Sequence, residues 1–161
     1  MPTPEFVLAL RAKVGHAPLW LSGSTAVVVR DSTQGEEVLL VRRSDSGEWS
    51  PVCGIIDPGE EPHVAAVREV AEEAGVEVVA ERLSWVSVTD LVTYSNGDQT
   101  QYIDHTFRCR WVAGDPFPAD GEATEARFFP VDALPPMGGE FAERVQVALE
   151  NAPEARFGRR R

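Results

Sequence analysis

Three glutamates recur within five residues of one predicted helix. Glu69, Glu72 and Glu73 lie in segment 62–74, where apolar residues repeat at helical spacing after a proline suited to a first helical turn. At about 100° per residue the three carboxylates share one arc of the helix, which we expect to be an exposed ridge. The arc predicted to be buried comprises Val67, Val70, Ala71 and Ala74, with either His63 or Val64.

Convergent carboxylates are unfavourable unless something compensates their charge. Like charges three or four residues apart cost about 0.2–0.5 kcal/mol per pair, so a merely solvated acidic face is the alternative interpretation. Gly54 and Gly59 precede the helix and let the backbone approach whatever the carboxylates hold. Arg68 lies four residues before Glu72 and can orient a carboxylate. The combination favours a hard divalent cation such as Mg²⁺, which binds oxygen ligands.

The spacing of this segment resembles a complete Nudix box. The family pattern is G-x5-E-x7-R-E-U-x-E-E-x-G-U with U aliphatic, and the chain matches every specified position from Gly54 through Glu60 to Val76. A full match is far more specific than a lone glycine motif. The resemblance implies an α/β Nudix fold, in which a mixed β-sheet is sandwiched between helices (α-β-α).

The resemblance also implies an activity, which is hydrolysis of a nucleoside diphosphate linked to another group, with Mg²⁺ or Mn²⁺ as cofactor. Arg68 would hold Glu69 in place and act with it in catalysis. Glu60 would support the loop and helix or bind metal through water. The implied metal ligands are Glu69, Glu72 and Glu73, with the carbonyl of Gly54 and with Glu60.

The general base is less sharply specified than the metal ligands. Several family members use a glutamate on a late loop before the last strand, and Glu122 occupies that position here. Glu125 is the second choice, and a box glutamate is the third. Solvated loop charge is the alternative interpretation for both late glutamates.

Substrate contacts are predicted at five positions outside the box. Trp49 precedes the box strand and could stack on a base, while Arg42 or Arg43 could bind a terminal phosphate. Gln101 and Asp104 follow a hairpin and are candidates for facing a ligand. Core packing is the alternative for the tryptophan, and strand alternation alone does not say which side of the late strand is inward.

Cys53 marks a departure from the family pattern. Many members enter the box through Pro-Gly-Gly, whereas this chain has Pro-Val-Cys-Gly at 51–54. Isopentenyl diphosphate isomerases are Nudix relatives with a catalytic cysteine, but the intact hydrolytic box and the position of Cys53 beside Gly54 argue against an isomerase. We expect Cys53 to be a small packed residue.

Strands and helices that could position these residues follow from periodicity and turn signals. Asn96-Gly97 is a strong hairpin signal between two long strands. Predicted strands cover 19–22, 24–31, 37–43, 50–57, 82–94, 99–112 and 126–131, and predicted helices cover 4–13, 62–74 and 139–151.

Length and composition indicate a single domain spanning 1–161, with a Nudix core at about 18–151. Residues 1–15 form an extension that could serve as a dimer contact or a lid, and 152–161 form a flexible basic tail. The formal charge of −11 argues against general nucleic-acid binding and against anionic membranes. No segment reaches the length of a membrane span, and two unpaired cysteines fit a reducing compartment, so we expect a cytoplasmic protein.

The expected partner is a small nucleoside diphosphate derivative, with a homodimer possible. Substrates of the ADP-ribose or nucleotide-sugar type are favoured. The alternative enzyme class is (d)NTP pyrophosphohydrolysis for nucleotide-pool clean-up, including oxidised dNTPs. The alternative outside enzymology is a Nudix module that senses a nucleotide, which would be expected to have lost box carboxylates, whereas this chain retains all of them.

Overall fold

The computed structural model describes residues 3–159. Over that range the elements are α1 (Glu5–Val14), β1 (Leu19–Ser32), β2 (Gly35–Arg43), β3 (Trp49–Ser50), β4 (Val52–Ile55), α2 (Pro62–Ala74), β5 (Glu77–Val88), β6 (Val92–Thr93), β7 (Gln99–Ala113), β8 (Ala123–Pro130), α3 (Gly139–Glu150) and β9 (Arg156–Phe157). Between residues 3 and 159, none of the helices is long and apolar enough to cross a bilayer.

A single mixed sheet connects all the strands within that range. Its main path runs β3-β2-β1-β7-β5-β9, while β4 also pairs with β1, β6 with β7, and β8 with β2. β1 and β7 are parallel, from Leu19 opposite Thr100 to Val29 opposite Arg110. β5 and β9 are also parallel, and the other pairs are antiparallel. β1 is one continuous strand, where the sequence predicted two segments separated at Gly23. Gly23 is paired with Ile55 of β4 and with Asp104 of β7, so the pairing is not interrupted there.

Alternate residues of the central strands enter two separate cores. Val28 of β1 and Leu39 of β2 pack in the core beneath α2, whereas Val27 and Leu40 pack with Val145 of α3. Such alternation follows from the period of two along a strand. The sheet therefore has a helix on each face, and the predicted α-β-α fold is confirmed.

Both ends of α2 match the signals in the sequence. Pro62 occupies the first helical turn, where its missing N–H costs no hydrogen bond. Gly75 ends the helix in the left-handed region at φ 66°, and its N–H donates to the carbonyl of Ala71. The helix that carries the box thus begins and ends where the sequence predicts.

The terminal segments are docked on the domain. Arg11 of α1 donates to the carbonyl of Gln99 at 2.6 Å and to Thr100 Oγ1 at 3.0 Å. The tail differs from the expected frayed segment, because β9 adds to β5 and the Trp85 indole N–H donates to the carbonyl of Gly158. Arg160 and Arg161 of the predicted basic tail lie outside the described residues.

Candidate active site

Gly54 and Glu69 are in direct contact between β4 and α2. A β-carbon at position 54 would lie closer than 3.0 Å to Cγ, Cδ and Oε1 of Glu69. Only glycine allows the helix carboxylate to lie flat against the strand backbone at this point. The box spacing therefore has a steric cause, because it brings a residue without a side chain opposite a buried glutamate.

The prediction that Glu69, Glu72 and Glu73 form an exposed ridge on α2 is wrong for two of the three residues. Glu69 is 2% exposed and Glu73 is 7% exposed. Ala71, assigned to the buried arc, is exposed, and so are both His63 and Val64, one of which was expected to be buried. The cause lies in segments distant in sequence from α2. β4 covers Glu69. Segment 117–119 runs beside Glu73, and the N–H of Ala119 donates to the Glu73 carbonyl at 3.0 Å. The helix therefore turns two of its carboxylates inward.

Burial of these carboxylates changes their acidity. Desolvation raises the pKa of Glu69 to about 7, against a lowering by neighbouring Arg68. The pKa of Glu73 is raised to about 8, mainly by desolvation and in addition by the charges of Glu69 and Glu122. Two buried acidic groups of one helix with raised pKa values mark this region as the functional-site candidate.

Arg68 links the box residues in one network. Its Nη1 donates to Glu69 Oε1 at 2.8 Å and to Glu72 Oε2 at 3.2 Å. Its Nε and Nη2 donate to the two carboxylate oxygens of Glu60 at 2.7 and 2.8 Å, which keeps the pKa of Glu60 below its usual value. Nη2 also donates to the carbonyl of Ile55. The structure thus contains the contact between Arg68 and Glu69 that the sequence predicts, and adds three others.

The donor set suits a hard cation. Among residues 3–159, no group of three histidine, cysteine or acidic side chains is already assembled around a metal position. Glu69 and Glu73 are nonetheless buried carboxylates that repel each other, and a dication relieves both desolvation and repulsion. Oxygen donors of this kind suit Mg²⁺ or Mn²⁺. The assignment of individual metal ligands stays a prediction for Glu69, Glu72, Glu73, Gly54 and Glu60.

Glu122 is near enough to this group of carboxylates for its charge to raise the pKa of Glu73. Its carbonyl accepts the N–H of Ser44 at 2.8 Å, which fixes the late loop against the end of β2. Asp120 also raises the pKa of Glu73, and the sequence analysis missed it. The one available signal was its place in the same polar loop, two residues before Glu122.

The two arginines at the end of β2 differ in placement. Val41 faces the α2 core, so alternation places Arg43 on the same side, and the charge of Glu73 contributes to its raised pKa after that of Asp45. Arg42 instead donates to Glu125 at 2.9 Å on the exposed surface. Arg43 in turn donates to both carboxylate oxygens of Asp45 at 3.0 and 2.7 Å, so each of the two predicted phosphate ligands already has a carboxylate partner. Glu125 is paired away from the box.

Two other predicted substrate contacts are engaged elsewhere. Trp49 packs edge-on against Phe129 with ring centroids 4.9 Å apart, in the α3 core and under Arg127. Gln101 donates from Nε2 to the carbonyl of Thr89 at 3.0 Å. Core packing therefore accounts for the position of Trp49, and the hydrogen bond to the backbone of Thr89 accounts for that of Gln101.

The expectation that Asp104 faces a ligand is corrected by its burial. Asp104 is 3% exposed and accepts hydrogen bonds from Thr25 and Thr106, both at 2.8 Å. Arg144 from α3 lies 3.4 Å from the same carboxylate and donates to Thr25 at 2.9 Å. Asp104 thus compensates a buried arginine, which the sequence analysis did not identify.

Cys53, expected to be a small buried residue, is partly exposed. Burial raises its pKa to about 11, and Thr25 Oγ1 lies 3.4 Å from its sulfur. A thiol with this pKa is protonated at neutral pH and is a poor nucleophile. The local chemistry gives no support to the isomerase alternative.

A cavity of about 560 Å³ adjoins the box on the side of α1. It lies against the box loop, which we define as residues 55–61 and which includes Glu60, the partner of Arg68. Trp20 and His105 line it from the sheet. The sequence analysis did not find this cavity, because its walls are far apart along the chain.

Comparison with known proteins agrees with this geometry. The sequence pattern of the NUDIX domain family matches residues 21–148. No curated protein matches the chain by sequence. The chain resembles an ADP-ribose pyrophosphatase from Streptococcus suis, with 27% identity, a TM-score of 0.64 and coverage of 85% of this chain and 98% of the other.

Two further structures show the same fold. One is a UDP-X diphosphatase, with 23% identity, a TM-score of 0.66 and coverage of 96% of this chain and 74% of the other. The other is the NUDIX domain of Shewanella oneidensis NrtR in complex with ADP-ribose, with 17% identity, a TM-score of 0.63 and coverage of 92% and 99%. With the family pattern over most of its length and every box position present, the chain belongs to the Nudix family as a pyrophosphohydrolase.

Proposed function

We propose that the protein is a Mg²⁺- or Mn²⁺-dependent Nudix hydrolase that cleaves the diphosphate bond of nucleotide sugars of the ADP-ribose type. The observation that carries the proposal is the buried pair Glu69 and Glu73, of which Glu69 lies between Gly54 and Arg68. The resemblance to the Streptococcus suis ADP-ribose pyrophosphatase, over 98% of that chain, supports this substrate class.

The residues divide the chemistry among them. Glu69, Glu72, Glu73 and the Gly54 carbonyl would hold the cation, which neutralises the diphosphate and lowers the pKa of water. Arg68 fixes Glu69 through a 2.8 Å hydrogen bond, so that the carboxylate needs no reorganisation when substrate binds.

Glu122 is the proposed proton acceptor, a role supported by the effect of its charge on Glu73 and by the backbone hydrogen bond from Ser44 to its carbonyl. Water attacks one phosphorus and the bridging P–O bond breaks, so ADP-ribose and water give AMP and ribose 5-phosphate. The proton of the attacking water passes to the Glu122 carboxylate. Arg43, which is paired with Asp45 in the structure, would bind a phosphate oxygen.

A substrate panel tests the proposed class. ADP-ribose, other nucleotide sugars, dinucleoside polyphosphates, and canonical and oxidised dNTPs are each incubated with Mg²⁺, with and without a coupled phosphatase. We expect phosphate from the nucleotide sugars only when the phosphatase is present, and loss of turnover in Glu72→Gln. Preference for dNTPs with direct release of pyrophosphate would contradict the proposed class in favour of pool clean-up.

A further inference from the structure

We propose that the cavity between α1 and the box loop binds the nucleoside end of the substrate, with the base stacked on Trp20 and α1 as the outer wall. The inference rests on the proposed function, because it places the unreacted part of the same substrate. It gives the N-terminal extension a role in substrate binding.

The cavity has the size and wall chemistry of a small-molecule site. Its volume of about 560 Å³ falls within the range of roughly 300–1,000 Å³ typical of ligand pockets. Phe6 and Leu10 of α1 form one wall, Trp20 and His105 of the sheet form another, and the box loop closes a third side. The walls combine these apolar side chains with the polar side chains of Ser22, Asp57, Glu60 and His105, which can meet the hydroxyl groups of a sugar.

Trp20 is the feature that points to a base. Its side chain is 58% exposed at the start of β1, although an indole of this size gains most from burial. Stacking with a base would cover the exposed face of the indole, and aromatic side chains serve in this way in proteins that bind nucleotides. His105 Nδ1 lies 3.1 Å from the carbonyl of Gly23, which requires the proton on Nδ1 and leaves Nε2 as an acceptor in the neutral ring.

The charges around the cavity fit a nucleoside better than a phosphate tail. Asp57 and Glu60 line it, and within residues 3–159 no lysine or arginine does. Carboxylates accept hydrogen bonds from ribose hydroxyl groups and repel phosphates. The diphosphate must therefore lie outside the cavity, and the nucleoside inside it.

The cavity is connected to the box by hydrogen bonds. Glu60 lines it and accepts from Arg68, and Arg68 donates to Glu69. The inference therefore requires the diphosphate to leave the cavity on the side of Arg68 and reach Glu69 beyond it.

α1 is fixed well enough to act as a wall. Arg11 is bonded to the start of β7, and its Nη1 also donates to the carbonyl of Ala17 at 2.6 Å. His16 lies 2.7 Å from Asp98 in the β6–β7 hairpin. The helix is therefore held by both its last turn and the segment after it.

A matched pair of substitutions on α1 tests the inference. Leu10 lines the cavity, whereas Leu8 is exposed on the same helix and does not line it. Binding of ADP-ribose is measured by calorimetry with Ca²⁺ in place of Mg²⁺, and KM and kcat are measured with Mg²⁺. We expect Leu10→Trp and Trp20→Ala to raise Kd and KM at least about tenfold with kcat nearly unchanged, and Leu8→Trp to change neither by more than about twofold.

The outcomes separate the two proposals. Hydrolysis by the unmodified protein with unchanged Kd in Leu10→Trp and Trp20→Ala overturns the cavity assignment and leaves the proposed function intact. Binding that both variants weaken, without hydrolysis by the unmodified protein, supports the cavity and overturns the hydrolase. No binding and no hydrolysis by the unmodified protein overturns both.

Discussion

The carboxylate of Glu69 occupies the space that a side chain at Gly54 would need. A β-carbon there would lie within 3.0 Å of three Glu69 atoms, so strand and helix meet with only a glycine between them. Buried carboxylates need such fixed surroundings, because any shift exposes them to water and changes their charge state. The contact makes the glycine of the box a positioning residue for its first glutamate.

Gly54→Ala should therefore displace Glu69. Because small displacements of a reacting group cost large factors in rate, we expect kcat/KM to fall at least about 100-fold. Gly139→Ala is the control, since a β-carbon at position 139 would meet nothing within 4 Å. Equal activities for the two alanine variants would contradict the positioning role.

Arg68→Gln should destabilise the protein as well as slow it. Arg68 is bonded to three carboxylates and is mostly buried, so its loss leaves charge repulsion among them. We expect about 2 kcal/mol less unfolding free energy, measured with urea. The control Arg110→Gln removes an exposed pair with Glu81 and should cost less than about 0.5 kcal/mol; similar losses in both variants would speak against the network.

The sequence predicted the box and its helix because both depend on local spacing. Pro62 and Gly75 mark the ends of α2, and the match from Gly54 to Val76 needs no tertiary information. Burial of Glu69 and Glu73 could not be predicted in this way. A helical projection assigns glutamates to solvent, and the segments that cover them lie elsewhere in the chain.

Other differences have the same nonlocal origin. Alternation along β7 showed that Asp104 faces one side of the sheet but not that Arg144 of α3 approaches that side. Trp20 drew no interpretation because the wall facing it comes from α1. β9 has too few residues for a strand signal and forms because β5 offers an edge.

Stability without metal should depend on pH in a direction unusual for carboxylates. The raised pKa values of Glu69 and Glu73, about 7 and about 8 against an ordinary 4.5, mean that the folded chain retains protons that the unfolded chain has lost. The unfolding free energy should fall as pH rises from about 4.5 to about 8. We expect a loss on the order of 3 kcal/mol between pH 5 and pH 9 in EDTA, measured by urea unfolding.

Glu73→Gln is the control for this dependence, because it removes the group with the larger shift. Its stability should vary less with pH than that of the unmodified protein. If the unfolding free energy of the unmodified protein instead rose over the same pH interval, the pKa values of Glu69 and Glu73 would not be raised in the folded state, and the prediction would be contradicted.

The two thiols should be unreactive in the folded protein. Burial raises the pKa of Cys53 to about 11 and that of Cys109 to about 12, so the thiolate fraction at pH 8 is on the order of one in a thousand or less. We expect no labelling by Ellman's reagent within minutes, and two equivalents after unfolding. Rapid labelling of native protein, with loss of turnover in Cys53→Ala, would revive the isomerase alternative.

Glu122 and Glu125 are the two candidate bases on the late chain segments. The charge of Glu122 raises the pKa of Glu73, whereas Glu125 is paired with Arg42 at the surface. We expect Glu122→Gln to lower kcat by about 100-fold or more at unchanged KM, and Glu125→Gln to have little effect. The reverse order in steady-state kinetics would assign the proton transfer to Glu125, and no effect of either would assign it to a box glutamate.

Conversion of ADP-ribose to AMP and ribose 5-phosphate, followed by chromatography, tests most directly whether the buried carboxylates form the reaction centre. Unmodified protein is compared with Glu69→Gln, each with Mg²⁺ and after addition of EDTA. We predict products from the unmodified protein with Mg²⁺ and a loss of at least about 1,000-fold in the other three conditions. Equal product formation by Glu69→Gln, or turnover that persists in EDTA, would contradict the assignment of the buried carboxylates as the metal-dependent centre.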